Sequence, residues 1–562
     1  VLDPPHRVAA RFVKAALQTG LVGEVTGGDL VEVVRTALRG GLSAASVHRL
    51  HAALHPKRLA AVDAERSLTY REMDREIDAL ETALRTRFRA GRGTAVALMM
   101  ENRVEYLTSW FATLRLGASS VHVSYRSTAD ELEYQLEHSG ARILLCSEES
   151  REAAVRVRRR RRDWRLAVVD VDTRDHSDDR YSYRRILRVA ERIERSGRAD
   201  RGDRSTVDRH VGDSGGGNIV YTSGTTGRPK GTVRNFTKLG IHDLFRIVER
   251  LPVRAGDEHL VVAPLYHSGG QVFAILNTSL GATIHLQSHF EPRKTLEVLS
   301  DEEIHSLFLV PTMIRRLLDL PDEVHARYRT PELRALVSGA APFPEELRRR
   351  AINRFGAGVV HDFYGATELG WATLIDGAEM RRRPGSVGRP IAGQEIRIYD
   401  GERICDPGEV GTIYVRSVHT MEGYLRDEEA NEAFRRGVWA TVEDLGYLDE
   451  EGYLYLAGRE RDMVITGGVN VYPVEIEEVL LEHPGIEDVG VVGVEDAEWG
   501  EKLVAYLVAE EAEDPPGSEE LEEWTSRRLA GYKVPKDWKF VDELPRNPTG
   551  KILKTELERT YR

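Results

Sequence analysis

Cysteine is almost missing from this chain: Cys146 and Cys405 are the only two in 562 residues. Two thiols cannot build a disulfide framework or a cysteine-based zinc site, so a reducing, cytoplasmic setting is expected. Long apolar runs are missing too, and no stretch approaches the ~20 apolar residues that a membrane span requires. The first residues lack the unbroken apolar core of a secretory signal, because Arg11, Lys14 and Gln18 interrupt it. A surplus of positive charge is also absent. The formal net charge of −12 argues against nucleic acid as a partner. What remains, 41% hydrophobic and 30% charged residues, describes a globular protein, and the length calls for more than one domain.

One stretch stands out: Tyr221-Thr222-Ser223-Gly224-Thr225-Thr226-Gly227-Arg228-Pro229-Lys230-Gly231. Its glycines let backbone N–H groups approach an anion, its hydroxyls add short donors, and Lys230 adds a full positive charge. That is chemistry for holding a polyphosphate. It is not a Walker A loop, because Arg228-Pro229 separates Gly227 from Lys230. Taken alone, the stretch reads equally well as a polar surface loop.

Ahead of it, Val8, Phe12, Val13, Ala16, Leu17 and Leu21, then Val33, Val34, Ala37 and Leu38, recur at helical spacing. A docked helical pair is the first reading, and a segment lying on a membrane surface the second. Leu68-Thr69-Tyr70-Arg71-Glu72-Met73 opens a periodic helix through Ile77, Leu80 and Leu84. Apolar runs at Ala95–Met100, Ile143–Leu145 and Leu166–Val171 alternate with helical patterns, the α/β signal. The run Arg156, Arg158 to Arg162 and Arg165, with Trp164, reads as a solvated face, with anionic lipid as the second reading.

Beyond the glycine-rich loop, several ordered motifs follow. They are Pro264-Leu265-Tyr266-His267, Gly339-Ala340-Ala341, His361-Asp362-Phe363-Tyr364-Gly365-Ala366-Thr367-Glu368, Val442-Glu443-Asp444-Leu445-Gly446, the segment from Gly458-Arg459 to Pro473, and Gly550-Lys551. Together, from about Leu68 to Lys554, the sequence resembles the adenylate-forming superfamily of acyl-CoA synthetases, adenylation domains and luciferases. The resemblance implies an α/β fold. A large N-terminal domain with mixed sheets and helices (51–460, after an amphipathic segment 1–50) would precede a small mobile α+β C-terminal domain (461–562).

It also implies roles. Thr222, Ser223, Gly224, Thr225, Thr226, Gly227 and Lys230 would hold the ATP phosphates. Gly339, Ala340, Ala341, Asp362, Phe363, Tyr364, Gly365 and Ala366 would receive the adenine. Thr367 would meet the α-phosphate, Glu368 with Thr226 would hold Mg²⁺, and His267 would lie beside the carboxylate pocket. Asp444 and Arg459 would take the ribose, Lys551 the reacting carboxylate and α-phosphate, and Gly467-Gly468 the thiol path of coenzyme A, with a hinge near Arg461. Val442 and Glu443 stand where the family carries threonine and glycine.

The implied activity is an ATP-dependent acyl-CoA ligase acting on a medium- to long-chain fatty acid through acyl-AMP. An aryl acid, a carrier-protein acceptor, luciferase-type oxygenation and a non-catalytic nucleotide-binding protein stay open as alternatives. A carboxylate is already ionised at neutral pH, so the first step needs no general base.

Overall fold

The computed structural model describes residues 47–172, 182–195, 217–222, 229–235, 246–466, 469–496, 499–510, 515–547 and 550–561. The amphipathic stripes before residue 47, on which the membrane-surface reading rests, lie outside the described residues. Among the described residues, no helix is long and apolar enough to cross a membrane. The chain forms two compact units. One comprises Val1–Phe308, Leu320–Leu336 and Val418–Ala433; the other comprises Leu309–Asp319, Val337–Ser417 and Phe434–Arg562.

The first unit is built on two sheets. In the larger, strands Ser119–His122, Ala95–Met99, Ile143–Cys146 and Ala167–Asp170 run parallel to one another, and Asn218–Thr222 joins them in parallel at Ser119–His122. Ile143–Cys146 is buried at every position, as a parallel strand covered on both faces must be. Asn218–Thr222 then turns antiparallel to Lys230–Arg234, which pairs on its far side with Gly423–Tyr424. The smaller sheet aligns Ser306–Leu309, Glu258–Val261, Thr283–Leu286 and Leu59–Val62 in parallel, with Ser67–Thr69 antiparallel at its edge.

Local chemistry sets the helix ends. Tyr70–Phe88 begins with a capping box: the Thr69 hydroxyl accepts from the Glu72 N–H, and the Glu72 carboxylate accepts from the Thr69 N–H at 2.9 Å. Its apolar stripe, Met73, Ile77, Leu80 and Leu84, is buried. Ala129–Ser139 repeats the device with Thr128 and Glu131 and stops at Gly140, whose φ of 73° suits glycine.

The basic run is largely the solvated face expected, with Arg156, Arg158, Arg159, Arg160, Arg162 and Arg165 exposed, but it also makes contacts within the fold. It closes the helix Glu148–Arg160, and Arg160 and Arg161 turn toward Asp130, Glu133 and Glu137 of the helix Ala129–Ser139. Trp164 is held between the guanidiniums of Arg161 and Arg142, 3.9 and 4.5 Å from its ring centre. Part of the run is therefore neutralised within the fold.

In the second unit, Arg403–Ile404, Glu395–Asp400, Gly411–Arg416, Asp444–Leu448, Leu454–Arg459, Ser386–Pro390, Thr373–Asp376 and Val360–Asp362 follow one another antiparallel. Gly411–Arg416 alternates buried and half-buried residues, the period of a one-sided strand. Gly393, with a φ of 83°, lies in the turn between Ser386–Pro390 and Glu395–Asp400.

A second sheet pairs the long strands Ile486–Asp496 and Gly500–Ala509, with Val464–Thr466 and Asp537–Phe540 also on Gly500–Ala509. Helices Pro473–Leu481 and Ser518–Ser526 contribute Ile476, Leu480 and Leu521 to a core with Val489, Val491, Leu503 and Leu507. Removing one such leucine side chain costs about 2–5 kcal/mol.

Candidate active site

In the second unit, the backbone at Gly339 lies against an aromatic face. A Cβ there would come within 2.4 Å of the Phe363 ring, so any larger residue would force the ring to shift. The Phe363 ring also stacks on Trp371, with centres 4.4 Å apart. Phe363 is thus part of the floor that supports the Gly339-Ala340-Ala341 turn. Ala340 holds a left-handed φ of 68°, a conformation that costs an alanine energy and fixes the direction of the turn.

Asp362, one residue earlier, is buried against Arg348, with Nη2 2.9 Å from its carboxylate. Burial pushes its pKa up to about 6, although Arg348 works in the opposite direction. Gly365-Ala366 pairs with Gly370-Trp371 as a narrow hairpin. A Cβ on Gly365 would meet the Gly370 carbonyl at 2.2 Å. Thr367 and Glu368 sit in its turn, and Glu368 is buried there.

Asp444 and Arg459 face each other in register across two antiparallel strands. The Asp444 carboxylate takes Arg459 Nε at 2.9 Å on one oxygen and the Tyr364 hydroxyl at 2.8 Å on the other. Glu443 carries a φ of 62° where the resemblance leads one to expect glycine. Its N–H donates to the Thr441 hydroxyl at 3.0 Å, and its carbonyl accepts from the Glu460 N–H at 2.9 Å. The departure from the family pattern therefore strains Glu443 but leaves Asp444 held from both sides.

Lys551 comes to the same place. Burial, followed by the guanidiniums of Arg459 and Arg461, brings its ammonium down to about 7, while Asp444 and Asp462 pull the other way. The turn that presents it is built by Asn547, whose carboxamide oxygen accepts from the Lys551 N–H at 2.9 Å. Gly550 has a φ of 80° and approaches Thr312 so closely that a Cβ would lie 2.7 Å from the threonine hydroxyl. The second unit thus gathers Gly339, Phe363, Tyr364, Asp444, Arg459 and Lys551, and the charge of Glu368 acts on Arg459.

Thr222, Lys230 and His267 belong to the first unit. Thr222 ends one strand and Lys230 opens the next, opposite each other in register. Ser223, Gly224, Thr225, Thr226 and Gly227 lie between them, outside the described residues. So do Gly467 and Gly468, between the paired strands Val464–Thr466 and Val469–Val471. The feet of the glycine-rich loop are tied to the helix Ala129–Ser139. The Tyr134 hydroxyl donates to the Pro229 carbonyl at 2.9 Å, and the Tyr221 hydroxyl donates to the Gln135 carbonyl at 3.1 Å.

His267 precedes the helix Ser268–Ser279, and burial lowers its pKa to about 4, so the ring is neutral at pH 7. Its Nε2 is buried with no hydrogen-bond partner among the described residues. Asn102 holds the turn before it, donating to the Val262 and Ala263 carbonyls and accepting from the Leu265 N–H at 2.8 Å.

A family model described as AMP-binding enzyme matches residues 49–425, and a second, its C-terminal domain, matches residues 475–551. The chain belongs to the AMP-binding enzymes. It is 33% identical to a 2-succinylbenzoate–CoA ligase of Bacillus licheniformis over 90% of this chain and 98% of that protein. It is 30% identical to the long-chain-fatty-acid–CoA ligase FadD13 of Mycobacterium tuberculosis over 88% and 93%. Among solved structures, it resembles the o-succinylbenzoate CoA synthetase of Bacillus subtilis in complex with its acyl-adenylate. There the TM-score is 0.75 and the identity 27%, over 91% of this chain and 97% of that one. The α/β architecture, a large N-terminal domain with a smaller C-terminal one, is that of these enzymes.

Two residues that position the site of this AMP-binding enzyme were not singled out from sequence. Arg348 lies on the helix Glu345–Phe355 and neutralises Asp362; Thr441 fixes the turn before Asp444. Arg348 carries no local signal, because its partner lies on a neighbouring strand. Thr441 could have been found as the hydroxyl displaced by one place from the family pattern.

Among the described residues, no group of three acidic, histidine or cysteine side chains could hold a metal by itself. A buried single carboxylate, Glu368, suits an ion that takes its remaining oxygens from a bound polyphosphate and water, the habit of Mg²⁺.

Proposed function

We propose that this enzyme is an ATP-dependent acid–CoA ligase that joins a carboxylate to AMP and then passes the acyl group to coenzyme A. The observation that carries the reading is Lys551 placed beside the Asp444–Arg459 pair and its Tyr364 support. In this reading Asp444 accepts the two ribose hydroxyls, and Arg459 keeps that carboxylate charged and aimed. The Gly339-Ala340-Ala341 turn, on its Phe363 floor, takes the flat face of adenine. Lys551 donates to the carboxylate and α-phosphate oxygens where negative charge concentrates, which is positioning and charge stabilisation rather than proton abstraction. Thr367 adds a hydroxyl there. Mg²⁺, held by Glu368 and the phosphates, would supply further charge neutralisation. Rotation of the small domain about Arg461 would withdraw Lys551 before the thiol enters.

For the acid, we favour an aryl carboxylate. Around His267 the first unit offers flat apolar surfaces: Tyr266 lies 4.4 Å from the imidazole, Tyr125 meets Tyr266 edge-on at 5.8 Å, and Gly269 rests on the Phe308 ring. The 2-succinylbenzoate–CoA ligase relative supports it. A medium- to long-chain fatty acid is the second reading, favoured by the long-chain ligase relative.

Pyrophosphate release with ATP and a panel of aryl and C8–C18 alkyl acids, with and without coenzyme A, tests both. Adenylation without thioester formation would overturn the CoA assignment. Turnover of alkyl but not aryl acids would overturn the aryl one.

A further inference from the structure

The phosphate-loop lysine has a fixed partner that the reaction scheme above does not use. Strand Gly423–Tyr424 lies along Lys230–Arg234, with Tyr424 opposite Thr232, and the Leu425 N–H donates to the Gly231 carbonyl at 2.8 Å. That pairing brings the following turn to the side chain of Lys230. Its Nζ stands 3.5 Å from Asp427 Oδ2 and 5.3 Å from the centre of the Tyr424 ring.

The Asp427 carboxylate is not free to follow the lysine. Its Oδ1 accepts from the Ala430 N–H at 3.0 Å, and its carbonyl accepts from the Asn431 N–H at 3.1 Å. Asn431 in turn clamps Tyr424, accepting from its N–H at 2.6 Å and donating to its carbonyl at 3.0 Å. A flexible, half-buried ammonium therefore meets a carboxylate held rigid by the turn, and it is the lysine that must move when a polyphosphate arrives.

We propose that Asp427 is a positioning residue. It holds Lys230 while the site lacks phosphate, competes with polyphosphate for it, and takes it back as pyrophosphate departs. The inference rests on the ATP-dependent reading above. A fixed negative charge beside the lysine weakens ATP and pyrophosphate alike, and for a product that must leave each turnover this shortens its stay.

Asparagine caps a helix as well as aspartate, so Asp427→Asn removes the charge and keeps the turn. Magnesium pyrophosphate and Mg·ATP binding to the full chain are measured by calorimetry, with melting temperature as the structural control. Asp427→Asn should bind pyrophosphate about threefold to fivefold more tightly, the size of a partly exposed ion pair. Its melting temperature should stay unchanged, and the gain should vanish in a Lys230→Gln background. Asp427→Ala should show the same tightening with a lower melting temperature. Unchanged or weaker binding in Asp427→Asn, or an equal gain without Lys230, overturns the proposal. If the wild type binds neither ligand, the ATP-dependent reading falls and this inference with it.

Discussion

The glycine-rich hairpin of the first unit and the Asp444–Arg459 strand pair of the second prepare charge in opposite ways. In the strand pair, every charged group is pinned before any ligand arrives. β-register sets Asp444 against Arg459, Tyr364 takes the second carboxylate oxygen, and Lys551 is pressed in until its ammonium titrates near neutrality. In the hairpin, Tyr134, Tyr221 and the Asp427 turn pin the feet, and Lys230 sits there on a flexible stem. In the proposed reading, a ribose and a reacting α-phosphate need one geometry, which suits rigid strands. A β,γ-phosphate pair would be admitted and then released, which suits a loop anchored at its ends.

Each side of that comparison can be broken separately. The largest effect is expected from Arg348→Met, which leaves the Asp362 carboxylate buried without its partner. Chemical denaturation should show a loss of about 3–5 kcal/mol. The folded-state pKa of Asp362 already stands above its unfolded value, so its ionised form costs stability above about pH 4 and most above its folded pKa. The variant should therefore be less impaired at pH 5 than at pH 8, and equal losses would remove Asp362 from the account.

Next is the pH profile of adenylation. In the proposed scheme Lys551 acts as an ammonium, and burial brings it down to about 7, so kcat/KM for ATP should fall about tenfold per pH unit above that value. A profile flat from pH 6 to 9 would mean that the strand-pair side does not set the lysine's charge.

Tyr134→Phe tests the hairpin side. It deletes one hydrogen bond to the Pro229 carbonyl, worth about 1 kcal/mol, and should raise KM for ATP a few-fold with kcat little changed. The smallest effect is expected from Glu443→Gly. Relief of a left-handed glutamate should stabilise the fold by about 1 kcal/mol or less, since glycine adds chain entropy of its own. Activity should change little, because Asp444 is held by Arg459 and Tyr364 rather than by the residue before it.

Much of this was legible in the residues and some was not, for physical reasons. The capping box at Thr69 and Glu72, the buried run Ile143–Leu145 and the strand-to-turn form around Gly339 are local patterns, and the structure reproduces them. Gly393, which turns the chain between Ser386–Pro390 and Glu395–Asp400, is a single left-handed residue that periodicity overlooks. The neutralisation of Arg160 and Arg161 depends on carboxylates more than twenty residues away. The resemblance makes Phe363 a residue that receives adenine, and only the fold reveals that its ring stacks on Trp371 and abuts Gly339. Asp427 belongs to the same class, since strand pairing and not sequence distance carries it to Lys230.

The account stands most directly on Lys551 as a group of the first half-reaction. The deciding measurement compares Lys551→Ala with wild type in two assays: ATP–pyrophosphate exchange driven by the acid, and thioester formation from supplied acyl-adenylate and coenzyme A. Removing a preorganised donor of this kind is expected to cost about 10²–10³ in rate. The account predicts that loss in exchange, with thioester formation within a few-fold of wild type. Comparable losses in both assays would contradict it.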